Sequence, residues 1–292
     1  MEFVSPEGLR LDGRRPKEVR QLKAELGVLP AADGSASFEM GNTKVRPRRR
    51  HCRPARRPPA PPRPGRQPRP ACQTHVQVIA AVFGPKEVEQ RGQADPARAI
   101  VRCEYARAAF STGERRRRGK TDRRATELSM VIRNTLEQTI LLDLLPRTQL
   151  DVYVQVLQAD GGTRCAGINA AFLALADAGV PMRDTVAACA AGYLDSTALL
   201  DLNYLEDGGG GPDVAVALHP SLDKVVLLQA DARVGVDTFE EVLQLASAGC
   251  RAVAAFMREA LVERVRGLSA ARGAAGPLRP PPPTAAADAT DP

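Results

Sequence analysis

Apolar residues take every second position in Leu150-Asp-Val-Tyr-Val-Gln-Val-Leu157, so Leu150, Val152, Val154 and Val156 would share one face of a half-buried strand. A polar glycine turn, Gln158-Ala-Asp-Gly-Gly-Thr-Arg164, follows at once. From about Thr163 the small residues predict a buried helix that stops at Ala178-Gly179, with Pro181 beyond the stop. Upstream, residues 34–38 and 78–83 read as paired strands and residues 100–110 as a third. Residues 126–145 read as a helix carrying Leu128, Val131, Ile132, Leu136 and Ile140 on one face. Downstream, strands are expected over residues 186–192, 198–203, 214–218 and 225–229. A long last helix is announced by the capping-box spacing Thr238-Phe-Glu-Glu241, with Val242, Leu245, Gly249, Val253, Met257 and Leu261 on its inner stripe. Two successive strand-rich, helix-bearing halves predict one α+β domain of mixed sheets packed with helices.

Residues 46–77 break this pattern. They hold ten arginines and no acid, so the remainder of a chain with formal charge +7 nets to −3 once those ten are set aside. The basic charge is therefore a property of one segment. Nine prolines in the same stretch leave too little apolar surface to offset chain entropy, which predicts a disordered Arg/Pro-rich insertion at residues 45–77. Joining Lys44 directly to Val78 restores an uninterrupted hairpin, Met40-Gly-Asn-Thr-Lys44-Val78-Ile-Ala-Ala-Val. Val45 must be encoded by a codon beginning GT, and CAG is one of the two codons for Gln77, so the block is read as an in-frame retained intron in preference to a genuine surface insertion. The domain then comprises residues 1–44 and 78–268, and residues 269–292, rich in Ala and Pro, form a disordered tail.

Cysteine usage and hydropathy narrow the class further. His51, Cys52, Cys72 and His75 match no compact zinc module, because nineteen residues separate the two cysteines. Cys103, Cys165, Cys189 and Cys250 stand singly among apolar or small residues, as buried reduced thiols do. No apolar run has membrane-spanning length, so no membrane partner is expected. The opening residues Met-Glu-Phe-Val-Ser-Pro-Glu lack a basic and an apolar region, so a nuclear, nucleolar and cytoplasmic location is expected.

Two features carry candidate chemistry. Gly161-Gly162-Thr163-Arg164 places free helix amides and a guanidinium together, a pocket for a tetrahedral anion, although a Gly-Gly turn before a helix is often structural. Asp195 and Asp201 are near enough in sequence to be read as a pair that shares Mg²⁺ or holds a proton, with surface aspartates at strand ends as the bland alternative. His219, before Pro220 at a strand end, reads as structural. The scarcity of aromatics, with no Trp, argues against a base-stacking module.

Seven ordered motifs then carry a family resemblance: Leu11-Asp-Gly-Arg-Arg-Pro16, Ala32-Asp-Gly-Ser-Ala36, Met40-Gly-Asn-Thr-Lys44, Phe110-Ser-Thr-Gly-Glu-Arg115, Leu157-Gln-Ala-Asp-Gly-Gly-Thr-Arg164, Ala176-Asp-Ala-Gly-Val-Pro-Met-Arg-Asp184 and Leu200-Asp-Leu-Asn-Tyr-Leu-Glu-Asp207. The chain resembles the RNase PH family, in particular the plant and archaeal subunits of the exosome core. The resemblance implies the RNase PH fold, related to the second domain of ribosomal protein S5. It implies a 3′–5′ exoribonuclease that uses inorganic phosphate as co-substrate, with Mg²⁺ as an accompanying metal. Gly162, Thr163 and Arg164 would hold the phosphate, Asp195 and Asp201 would form the acidic and metal-binding pair, and Arg124 would lie near the RNA 3′ end. Arg115 and Arg116 would grip the RNA backbone. Implied partners are RNA 3′ ends, other RNase PH-fold subunits in a hexameric ring, and S1/KH cap subunits. Family forms without an arginine at the position of Arg164 lack phosphorolytic activity, and here the arginine is present. The alternatives are a catalytically inactive RNA-channel subunit of the same ring and a free-standing homohexameric tRNA-trimming enzyme.

Overall fold

In the computed structural model, residues 3–5, 7–41, 75–88, 95–112 and 122–271 are described. Two sheets result. The first is five-stranded, in the order β1 (Leu22–Leu26), β2 (Gly34–Gly41), β3 (His75–Glu87), β5 (Thr148–Gln158), β4 (Ile100–Arg107). Its pairings are antiparallel except for β4 on β5, which run parallel because helix α1 (Arg123–Thr139) lies in the crossover between them. The second sheet orders β7 (Thr197–Leu200), β6 (Ala187–Leu194), β8 (Asp213–His219) and β9 (Lys224–Ala230), all antiparallel. Mixed sheets packed with helices are the α+β class expected.

Helix α2 (Thr163–Asp177) joins the two sheets, touching β2, β3 and β5 on one side and β6 and β8 on the other. Every residue from Cys165 to Leu175 is buried, which requires small residues where strands approach and leaves no polar face. Ile168, Leu173 and Leu175 are fully enclosed, each worth about 1.5–3 kcal/mol of burial. The predicted strand face of Leu150, Val152, Val154 and Val156 packs inward as its period required. The long helix α4 (Val236–Ala271) covers β6, β7 and β8 and reaches β1.

Several boundaries differ from expectation, each for a local reason. Helix α1 begins at Arg123 because the Asp122 side chain accepts from the Arg124 amide, and it ends at Thr139 because Ile140 turns extended to bridge Met182. A short 3₁₀ turn at Leu142–Leu144 follows. Helix α4 starts before Thr238, so the capping-box spacing there lies inside the helix, and it runs past residue 268 to Ala271. Strand β1, where Leu22, Ala24 and Leu26 alternate with Lys23 and Glu25, escaped the sequence reading. His75, Val76 and Gln77, assigned above to the insertion, belong to β3 and pair with Gly41, Met40 and Glu39. The rest of the insertion, with His51, Cys52 and Cys72, and residues 272–292 lie outside the described residues. Cys165, Cys189 and Cys250 are buried free thiols and Cys103 is half-buried. Among the described residues no helix is long and apolar enough to cross a membrane.

Candidate active site

Strand β5 delivers the chain into Gly161 and Gly162, whose φ angles are 69° and 62°. A Cβ on Gly161 would stand 2.5 Å from the Leu202 carbonyl oxygen, so glycine is what lets this turn approach the loop after β7. Gly162 is the N-cap of α2 and offers no side-chain acceptor to the first helical amides. The first intrahelical bond runs from the Ala166 amide to the Gly162 carbonyl at 3.1 Å, so the amides before Ala166 point out of the helix start with no intrahelical acceptor. That is the positive end of a fifteen-residue helix.

Two guanidinium groups frame this end. Arg164 is largely buried, and its Nε is enclosed with no hydrogen-bond partner. Arg124, in the first turn of α1, shares a cleft with Arg123, Glu127, Leu128, Arg164 and Asp231. A second cleft, lined by Tyr105, Arg107, Ser111, Thr112 and Asp122, meets the first at Arg124 and Leu128. The Tyr105 and Ser111 hydroxyls are buried without partners beside it.

Three carboxylates complete the cluster, and none of them was a site residue in the sequence reading. Asp207 ends the short helix α3 (Tyr204–Asp207), Asp213 opens β8, and Asp231 follows β9. Asp231 places Oδ2 3.8 Å from Arg164 Nη2 and donates its amide to the Asp213 carbonyl at 3.1 Å. Burial raises the Asp213 carboxyl to about 6, with the charges of Asp207 and Asp231 adding to it and Arg164 opposing. Burial also raises Asp207, against the pull of Arg124 and Arg164. An acid poised near neutrality beside two arginines and a helix N-terminus is what proton delivery onto an anion-bound reactant requires. Asp207 stands inside the motif Leu200–Asp207, and Asp213 follows the glycine run 208–211 and Pro212 at a strand start; five intervening residues of unhelical spacing hid their common direction.

The sequence-expected residues divide. Arg124 and Arg164 line one cleft, and Gly162 and Thr163 lead into Arg164 at the start of α2. Asp195 stands apart from them, while Asp201 sets Oδ1 3.7 Å from where a Cβ on Gly162 would stand. Asp195 occupies the tip of the β6–β7 hairpin, in the left-handed region at φ 48°, and accepts from the Phe3 amide at 2.8 Å. Asp201 lies at the other end of β7, separated by roughly 13 Å of strand. Its buried carboxylate takes a two-pronged ion pair from Arg20, at 2.8 and 2.6 Å. Burial would raise this group, but Arg20 and then Arg14 outweigh it and hold it below the usual carboxylate range. A metal or proton shared between Asp195 and Asp201 is thus corrected by geometry. Among the described residues no cluster of three or more His, Cys, Asp or Glu is arranged as a metal site. Arg115 and Arg116 lie outside the described residues. His219 bonds the Thr185 carbonyl at 3.1 Å, a structural role.

Comparison with known proteins agrees with this architecture. The chain is 54% identical over 275 residues, 94% of its length, to the whole of the exosome complex component RRP41 homolog of Arabidopsis thaliana. It is 43% identical over 91% of its length to 96% of human exosome complex component RRP41. The Rrp41 component of Methanopyrus kandleri is 43% identical, with 91% of this chain and 97% of that protein covered. The crystal structure of rice Rrp46 superimposes with a TM-score of 0.66 at 22% identity, over 86% of this chain and all of that one, a likeness of fold. Residues 73–181 match domain 1 of the 3′ exoribonuclease family and residues 184–249 match domain 2. With both domains present in order and close relatives along nearly its whole length, the chain belongs to the RNase PH family of 3′ exoribonucleases.

Proposed function

We propose that the protein is a phosphorolytic 3′–5′ exoribonuclease subunit of an RNA exosome core ring, working in the nucleus, nucleolus and cytoplasm on RNA 3′ ends. The observation that carries this is the gathering of Arg124, Asp207 and Asp213 around Arg164, which stands in the first turn of α2. Phosphorolysis drives one anion against another, so the repulsion must be relieved by fixed positive groups. Inorganic phosphate would sit on the α2 amides and the unpartnered Arg164 Nε. Arg124, at the junction of the two clefts, would face both the phosphate and the terminal phosphodiester. A phosphate oxygen then attacks the terminal phosphorus, the bond to the penultimate 3′ oxygen breaks, and a nucleoside diphosphate leaves. Asp213, whose carboxyl is raised to about 6, supplies from its protonated fraction the proton that the departing 3′ oxygen needs. Asp207 orients Arg124 and Arg164 from the third side.

The names of the relatives, all exosome components, support a place among other exosome subunits; neighbours of the same fold in a ring and S1/KH subunits as its cap belong to the proposal through the family resemblance. The test is a reconstituted ring supplied with single-stranded RNA. Release of nucleoside diphosphates that requires phosphate and disappears with Asp213→Asn or Arg164→Ala supports the reading. Shortening that is indifferent to phosphate, or no shortening by a fully assembled ring, overturns it in favour of an inactive channel subunit.

A further inference from the structure

We infer that Asp231 is a displaceable counter-ion of Arg164, which yields the guanidinium to incoming phosphate and returns to it as the nucleoside diphosphate leaves, an inference that rests on the phosphorolytic reading above. Asp231 follows β9 in the segment that leads into α4, and its backbone is tied down, because its amide donates to the Asp213 carbonyl at 3.1 Å. Its side chain is not. Oδ2 stands 3.8 Å from Arg164 Nη2, within ion-pair range but beyond hydrogen-bond reach, and the Asp231 side chain is 55% exposed against 16% for Arg164. Among the described residues the carboxylate pairs with no other cation.

The nitrogen that Asp231 approaches is one that a phosphate needs. In a guanidinium, Nε–H and one N–H of Nη2 point the same way, a fork that takes two oxygens of one anion together. Here Nε is enclosed with no partner and Nη2 has only the distant carboxylate, so the fork is partly neutralised and still open. Arg164 shares its cleft with Arg123 and Arg124 at a helix start, and positive groups so gathered call for a counter-charge while the cleft holds no anion. Asp231 supplies that charge loosely. A tetrahedral anion that takes Nε and Nη2 at hydrogen-bond distance displaces the carboxylate toward solvent, where more than half of its side chain already lies. In phosphorolysis the phosphate that enters becomes the outer phosphate of the product, so the same carboxylate competes with both. An ion pair with one exposed partner is weak enough to be exchanged at every turnover.

The test titrates inorganic phosphate into the assembled ring without RNA, by calorimetry at about pH 8, for the wild type, Asp231→Asn and Asp223→Asn. Asp223 precedes β9 as Asp231 follows it, and its carboxylate pairs with Arg251 at 2.7 Å, so Asp223→Asn makes the same loss of charge at the other end of the strand. Asp231→Asn is expected to bind phosphate about fivefold more tightly, the upper end for an ion pair with an exposed partner, and to bind a nucleoside diphosphate more tightly by the same factor. Asp223→Asn should bind both as the wild type does. Tightening separates competition from support, because a residue that merely held Arg164 in place would weaken phosphate binding when lost. Unchanged or weaker phosphate binding in Asp231→Asn, or an equal gain in Asp223→Asn, would overturn the inference. A wild-type ring with no phosphate-dependent turnover would instead refute the phosphorolytic reading, and the titration, which needs no turnover, would still decide whether Asp231 competes for Arg164.

Discussion

Replacing Asp213 by Asn should make the protein more stable at pH 8 while abolishing phosphorolysis. The carboxyl is moved from 3.8 to about 6 by burial and by Asp207 and Asp231. At about 1.4 kcal/mol for each pH step, holding the ionised form in the folded chain costs about 3 kcal/mol. Because Asp213 is only half-buried, solvent screening reduces this to about 1–2 kcal/mol. The sign follows from protonation. The folded state keeps its proton more tightly than the unfolded chain, so wild-type stability falls as pH rises from about 4 to about 6 and is level above that. The asparagine variant has no such fall, so its advantage is absent at pH 4, grows through that window and is full at pH 8. Calorimetry at fixed ring concentration should show Tm raised by about 4 °C at pH 8, and by nothing at pH 4. A variant less stable than wild type at pH 8, or one equally stabilised at pH 4, would refute the assignment of Asp213 as a strained acid. Stability gained where activity is lost is the expected mark of a catalytic group.

The same acid sets the pH profile: kcat/KM should decline above about pH 6, as Asp213 loses its proton, and Asp231→Asn should move that decline to lower pH by removing a neighbouring negative charge; a flat profile from pH 5 to 8 would exclude Asp213 as the proton donor. Asp195→Ala should leave phosphorolysis within about twofold of wild type, since its carboxylate caps the Phe3 amide at a hairpin tip, and abolished turnover in an assembled ring would return Asp195 to the site. Deleting residues 45–77 should preserve the fold. The observed pairing of Phe38 with Val78 leaves Glu39 opposite Lys44 and Met40 opposite Thr43, closed by Gly41-Asn42 as a two-residue turn. Shortening the connection should add about 2–3 kcal/mol through loop closure, and loss of cooperative unfolding on deletion would show the register to be wrong.

Much of the scaffold was legible because its signals are local. Alternation in Leu150–Leu157 and the small residues after Thr163 specify a strand and an enclosed helix whatever surrounds them, and two glycines followed by Thr-Arg specify an anion-ready helix start. The family was legible too, in motifs spread over both halves of the chain. The acidic half of the site was not. Asp195 and Asp201 look adjacent in sequence, yet a four-residue strand carries them to opposite ends of a hairpin. Asp207, Asp213 and Asp231 come from a helix end, a strand start and a strand exit, with no shared period, and meet only because the second sheet packs β8 against α2 and β9 against α1. Even the charge state of Asp213 is tertiary, since burial and two distant carboxylates lift it. Sequence by itself determined most of the elements, the family and the glycine-led start of α2, because these depend on neighbours along the chain. Which carboxylates gather around Arg164, and which is held in a buried arginine pair, was decided by the packing of segments far apart in sequence.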